Sequence, residues 1–179
     1  MIYTGLGNFG MVDIIKKHAK FEQVWKPFWG SVGAEPKKKL AVIADMDARL
    51  DVLRALELKP GDAVVIRNAG AVATDDAVRS LTLAVHKLGV KQILVVGSTK
   101  NPLEKLDFEK LDVEIRKKVG NDVEGITGSP IAPWLKVFED VEDNVLQQIA
   151  HLKRNPLFKG VEIKGVLYSV ESGKVDILE

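Results

Sequence analysis

The sequence predicts an α/β domain: a mainly parallel β-sheet with flanking helices, an antiparallel C-terminal edge hairpin and an N-terminal helical arm. Three observations lead there. Short apolar runs such as "KLAVIAD" and "KQILVVGST" lack a polar face, which is the pattern of strands buried on both sides. They alternate with segments whose apolar residues recur at helical spacing. The last segment, "VEIKGVLYSVESGKVDIL", reads instead as two β-rich runs joined at Glu171-Ser172-Gly173.

Taken in order, residues 8 to 25 are expected to be helical, with Phe9, Val12, Ile15 and Ala19 roughly on one face. "WKPFWGSVGAEPKKK" follows as an irregular stretch carrying Trp25 and Trp29. "KLAVIAD" is the first strand, "DVLRALEL" a short helix, and "KPGD" the turn that closes it. "AVVIRNAGA" is a second strand running into a glycine-bearing loop. Thr74 or Asp75 then caps a long helix that stops at Gly89. "KQILVVGST" is the third strand. Residues 102–135 are polar and irregular, with short helical pieces, and a second long helix ends at Asn155-Pro156. The expected organisation is one domain over residues 1–179, with residues 1–35 as the arm.

Composition removes whole classes of function. A net charge of +1 gives no electrostatic footprint for nucleic acid, and Lys37-Lys38-Lys39 reads as a solvated strand entrance. No apolar run approaches the ~20 residues of a membrane span, and no signal peptide opens the chain, so a cytoplasmic protein is expected. The sequence contains no cysteine, which excludes disulfides, thiolate catalysis and zinc–thiolate sites. Its three histidines, His18, His86 and His151, lie in the arm or inside predicted helices and read as surface or packing residues.

In open parallel sheets, ligands bind beyond the carboxyl ends of the strands. Three segments fall there: "DMDAR" after the first strand, "NAGA" after the second and "GSTKN" after the third. The wording "MDARLDVLRALELKPGDAVVIRNAGAVATDDAVRSLTLAVHKLGVKQILVVG", with "NVLQQIAHLKRNPL…VEIKGVLYSVESGKVDIL" at the C-terminus, resembles the β-class carbonic anhydrases. That resemblance is close over residues 40–100, fair over 138–179 and poor elsewhere.

What the resemblance implies is a zinc site built from Cys-x-Asp-x-Arg after the first strand and His-x-x-Cys after the third. Carried over residue by residue, the ligand positions hold Asp45, Ser98 and Asn101, while the aspartate and arginine of the first motif persist as Asp47 and Arg49. One carboxylate, one hydroxyl and one amide suit zinc poorly, so no cofactor is expected and zinc-dependent hydration of carbon dioxide is not. Lys100, Asn68, Ala69, Gly70 and Gly97 are expected to line the pocket.

Two carboxylates left close together would raise one pKa or demand a cation. Lys100 is the first candidate, through an Asp45–Lys100 ion pair beside an Asp47–Arg49 pair. A hard cation such as magnesium or calcium on the oxygen donors is the second. The leading reading is a binding or regulatory homologue with a pocket for a small anion such as bicarbonate, which requires Arg49 or Lys100 free of internal pairing. The alternatives are a zinc-independent or hard-metal hydrolase or lyase with Asp45 or Asp47 as an upward-tuned base, and an active carbonic anhydrase with unusual ligands. A purely assembling scaffold is the third possibility. The resemblance also implies a homodimer or dimer of dimers held by the arm, with Trp25 and Trp29 candidates for the interface. No nucleic acid and no membrane is expected as a partner.

Overall fold

The computed structural model describes residues 32–178, so the expected helix at 8–25 and the tryptophans Trp25 and Trp29 lie outside the described residues. The chain divides into two units, 1–33 and 34–179, and the second carries the sheet. Its strands are β1 (Leu40–Asp45), β2 (Ala63–Asn68), β3 (Gln92–Ser98), β4 (Glu162–Tyr168) and β5 (Val175–Ile177). The helices are α1 (Val52–Ala55), α2 (Asp75–His86), α3 (Phe108–Val119), α4 (Val123–Thr127), α5 (Ile131–Leu135) and α6 (Val141–Arg154).

The sheet order is β2-β1-β3-β4-β5. β1 pairs in parallel with β2 and β3, β3 pairs in parallel with β4, and β5 alone runs antiparallel, closing the C-terminal hairpin. Because the chain moves from β1 to one side and then returns to the other, the tip of β1 is a topological switch point, where a crevice opens between neighbouring loops.

The central strands are apolar on both faces because both are covered. Ala41 and Ile43 face one cluster with Leu81 of α2 and Val145, Ile149 and Leu152 of α6. Val42 and Ala44 face the other, with Leu50, Val52, Val96 and Val166. Each side chain of Ile43's kind contributes roughly 1.5–3 kcal/mol when fully buried. Gly97 lets α6 approach β3 closely. A Cβ there would meet Val145 Cγ2 at 2.7 Å and Val141 Cγ2 at 3.0 Å.

Helix ends follow their capping residues. Thr74, rather than Asp75, caps α2 by accepting from Ala77 N at 3.3 Å, and Asp140 caps α6 by accepting from Asp143 N at 2.9 Å. The stretch expected to be mostly irregular contains the 12-residue α3. None of its residues is fully buried, and charged residues outnumber the apolar face of Phe108, Leu111, Ile115 and Val119. It is tied to its surroundings by charge, since Arg116 reaches Asp112 at 2.9 Å and Glu124 of α4 at 2.5 Å. Among the described residues, no helix is long and apolar enough to cross a membrane.

Candidate functional site

β1 ends in a carboxylate because its last residue, Asp45, still pairs with Asn68 of β2 but has run past the apolar layers. Asp45 is 1% exposed. A buried carboxylate must find donors, and Asp45 finds two backbone amides. Its Oδ1 accepts from Asp47 N at 2.6 Å and its Oδ2 from Gly70 N at 2.7 Å. Gly70 can turn its amide inward because its φ is +76°, and Ala71 beside it is also left-handed at +54°. No ammonium or guanidinium of the described residues lies within 4.0 Å of Asp45.

The expected Asp45–Lys100 ion pair is therefore corrected. Lys100 Nζ pairs with Glu171 of the terminal hairpin, and both side chains are exposed. With two amide donors already in place, Asp45 needs no ammonium, and Lys100 turns outward to the carboxylate it can reach in solvent.

Asp47 and Arg49 form the expected pair. Arg49 donates from Nε to Asp47 Oδ1 at 3.0 Å and from Nη2 to Oδ2 at 2.6 Å, and its backbone N–H donates to Oδ1 at 2.8 Å. Nη2 also reaches the Lys100 carbonyl at 2.9 Å, joining the first loop to the third. These bonds, led by the side-chain bond from Arg49, hold the Asp47 carboxyl below its ordinary value, against the opposing effect of burial. The same pair raises Arg49 above its ordinary value. The upward-tuned base considered for this site is thus not Asp47.

A folded-state pKa below the unfolded one adds stability that is complete above the unfolded value and fades as pH falls through the folded one. The urea midpoint is expected to drop on acidification below about pH 4. In Arg49→Ala that acid-induced drop is expected to shrink, and identical midpoint-against-pH curves for the two proteins would contradict the assignment.

Ser98 and Asn101 are buried beside one another, with Asn101 Nδ2 donating to Ser98 Oγ at 3.4 Å and Asn101 Oδ1 accepting from Leu103 N at 2.9 Å. A cavity of about 520 Å³ opens over this floor, walled by Asp45 to Arg49 and Lys100 to Leu103. Of the other residues expected to line it, Asn68, Ala69, Gly70 and Gly97 are not among its walls. Asn68 closes its own loop, donating to Val72 O at 2.7 Å and accepting from Val72 N at 2.9 Å. Gly97 is turned against α6, and Gly70 serves through its amide.

Three residues essential to this geometry were missed in the sequence. Arg67 donates to the carbonyls of Asp45 at 3.1 Å and Asp47 at 2.7 Å, pinning the turn that aims both carboxylates. The signal was a lone cation in an otherwise apolar strand. Asn144 donates to Gly70 O at 2.7 Å, and Gln148 donates to Asn144 Oδ1 at 3.0 Å. Asn144 announced itself as a polar residue inside the buried stripe of Val141, Val145 and Ile149. Among the described residues, no group of three His, Cys, Asp or Glu side chains clusters so as to hold a metal ion.

A family model described as carbonic anhydrase matches residues 40–100. β-Carbonic anhydrase 1 of Mycobacterium tuberculosis is 36% identical over 152 residues, spanning 83% of this chain and 87% of that protein. A carbon disulfide hydrolase of Acidithiobacillus thiooxidans is 31% identical over 156 residues, 79% of this chain and 78% of the relative. The solved structure of a carbonic anhydrase from Glaciozyma antarctica superposes with a TM-score of 0.78 at 30% identity, with both chains covered completely.

Proposed function

The chain belongs to the β-carbonic anhydrase family, and from that premise we propose that it is a member without the zinc site. In this reading it does not hydrate carbon dioxide and works as a binding or regulatory homologue whose pocket takes a small anion such as bicarbonate. The observation that carries the reading is the occupation of Asp45. Both of its oxygens accept short bonds from backbone amides, at 2.6 and 2.7 Å, so the one carboxylate at the former ligand positions is satisfied without a metal. Ser98 and Asn101 add a neutral hydroxyl and an amide that are bonded to each other and to Leu103. This donor set does not fit zinc, which is held by thiolate, imidazole or free carboxylate. It fits a hard cation little better, because Asp47 is committed to Arg49.

The condition set for an anion site is met in part. Arg49 is engaged through Nε and Nη2, yet its side chain is 49% exposed and, among the described residues, Nη1 has no hydrogen-bond partner. The Lys100–Glu171 pair is exposed on both sides, and such surface pairs hold by about 0–1 kcal/mol, so an anion can displace Glu171 at little cost. The pocket's other walls, Met46, Ala48, Pro102 and Leu103, are apolar and favour a compact ligand over a hydrated polyanion.

A second reading rests on the same walls. Carbon dioxide and carbon disulfide are both small linear electrophiles, and an apolar chamber with two adjacent carboxylates suits a metal-independent hydrolase or lyase, with Asp45 as its base. The resemblance further supports a homodimer or dimer of dimers. Elemental mass spectrometry on protein purified without chelators, with carbon dioxide hydration assayed on the same sample, tests the reading. Less than about one-tenth of an equivalent of zinc and no hydration above background are expected. Stoichiometric zinc with activity would overturn it.

A further inference from the structure

A second cavity, of about 250 Å³, lies on the α6 side of the sheet between the loop after β2, the segment after α5, and α6 itself. Its titratable lining groups are Lys136 and His151, and no Asp or Glu side chain lines it. Lys136 has no ion-pair partner among the described residues. The remaining polar wall comes from the Gln147 and Gln148 amides, and the apolar wall from Val72, Val137 and Phe138. A lysine ammonium without a compensating carboxylate, beside a histidine ring that can hydrogen-bond, favours an anion with an apolar body in a partly apolar chamber. Asp75 and Asp76 line a groove that shares Ala73, Lys136 and His151, but Asp76 is paired there with Arg79.

The chamber and the strand-end site share no lining residue, but a chain of hydrogen bonds runs from one to the other. Gln148 accepts from Ala73 N at 3.1 Å and donates to Asn144, which donates to the Gly70 carbonyl. The other end of the Gly70 residue donates its amide to Asp45. Phe138 packs on the same glycine, since a Cβ on Gly70 would lie 2.6 Å from its Cε1. Its carbonyl also accepts from Lys105 N at 3.2 Å, next to the loop that walls the first pocket. Hydrogen bonds linked in a largely buried chain polarise one another, so a ligand at Gln148 acts on the bonds of Asn144 and Gly70.

We infer that this chamber is a second ligand site for a small organic monocarboxylate, coupled through Gln148, Asn144 and Gly70 to the carboxylate of Asp45. At about 250 Å³ it is below the ~300–1,000 Å³ of sites for drug-sized ligands, which limits the ligand to a single ring or a short aliphatic chain. The carboxylate meets Lys136 and His151 at the rim, and the apolar body lies against Val137 and Phe138. This inference does not rest on the anion reading of the strand-end pocket.

An amide-detected NMR titration of the full chain with benzoate, and with uncharged benzamide as the control, tests it. Benzoate is expected to move the Ala73 amide, the Gln148 side-chain amide and the Gly70 amide, while benzamide at equal concentration moves none of them. Lys136→Ala combined with His151→Ala, both at exposed positions, is expected to weaken benzoate at least about tenfold, the scale of one charge-assisted hydrogen bond. Equal responses to benzamide, or no response to millimolar benzoate, would overturn the site. Shifts confined to residues 45–49 and 100–103 would place the ligand in the strand-end pocket and overturn it as well. Movement at Ala73 with Gly70 unmoved would overturn the coupling. Loss of bicarbonate binding in Arg49→Ala with benzoate binding intact would separate this site from the other.

Discussion

Asp45→Ala is expected to destabilise the fold by about 3–5 kcal/mol, the largest effect of any single substitution at the site. The change strips the acceptor from two buried amides at once, Asp47 N and Gly70 N, and each orphaned donor costs about 1–3 kcal/mol. The loss then spreads, because Gly70 is held in its left-handed turn between Asp45 on one side and Asn144 on the other. Asp45→Asn keeps the shape and one acceptor but turns an NH₂ group toward the second amide, so about half the loss is expected. Urea unfolding followed by circular dichroism measures both. A loss below about 1 kcal/mol for the alanine variant would mean that water replaces the carboxylate, and that the cradle is not a dry one.

Asp45→Cys, Ser98→His and Asn101→Cys combined are expected to bring about one zinc per chain and to raise carbon dioxide hydration at least about three orders of magnitude above the parent. The two thiolates and one imidazole would stand on the tips of β1 and β3, with Asp47 and Arg49 already in place beside them. Each double variant leaves only two good ligands, and is expected to bind zinc weakly and to stay inactive. Against a parent expected to be inactive, the combination separates two explanations. A folded triple variant that binds no zinc would show that Ser98 and Asn101 are not the equivalents of the family's ligands. Zinc without hydration would place the defect in the pocket rather than in its ligands.

Most of the sheet was legible because its strands are uniformly apolar and the helices between them are periodic. Both the order of elements and the C-terminal hairpin follow from that alternation. α3 carries a helical period in Phe108, Leu111, Ile115 and Val119, but its many charged residues and its lack of any fully buried side chain made the stretch read as polar and irregular. At the site, the Asp47–Arg49 pair was legible from a two-residue spacing that leaves little freedom. The partners of Asp45 were not, because they are backbone amides, and an amide donor has no letter in the sequence. The wrong expectation for Lys100 shares that origin. A cation was sought for a buried charge that peptide dipoles already satisfy. Asn144 and Gln148 lie about 75 residues from the loop they brace, so only the fold brings them together.

The same hydrogen bonds leave the three strand tips unequally fastened. The tips of β1 and β2 share Asp45, Arg67 and the Met46 amide, four bonds that must all break for them to part. Between residues 45–49 and 98–103, the one bond among the described residues runs from Arg49 to the Lys100 carbonyl, on the exposed rim. Across that seam the side chains supply a single latch, and solvent can reach it. The segment from Ser98 to Lys100 is fastened instead to the C-terminal hairpin, through Tyr168, Val170 and Glu171. A ligand entering the pocket therefore meets one wall moored to β2 and another moored to the terminal hairpin, joined at the rim by Arg49.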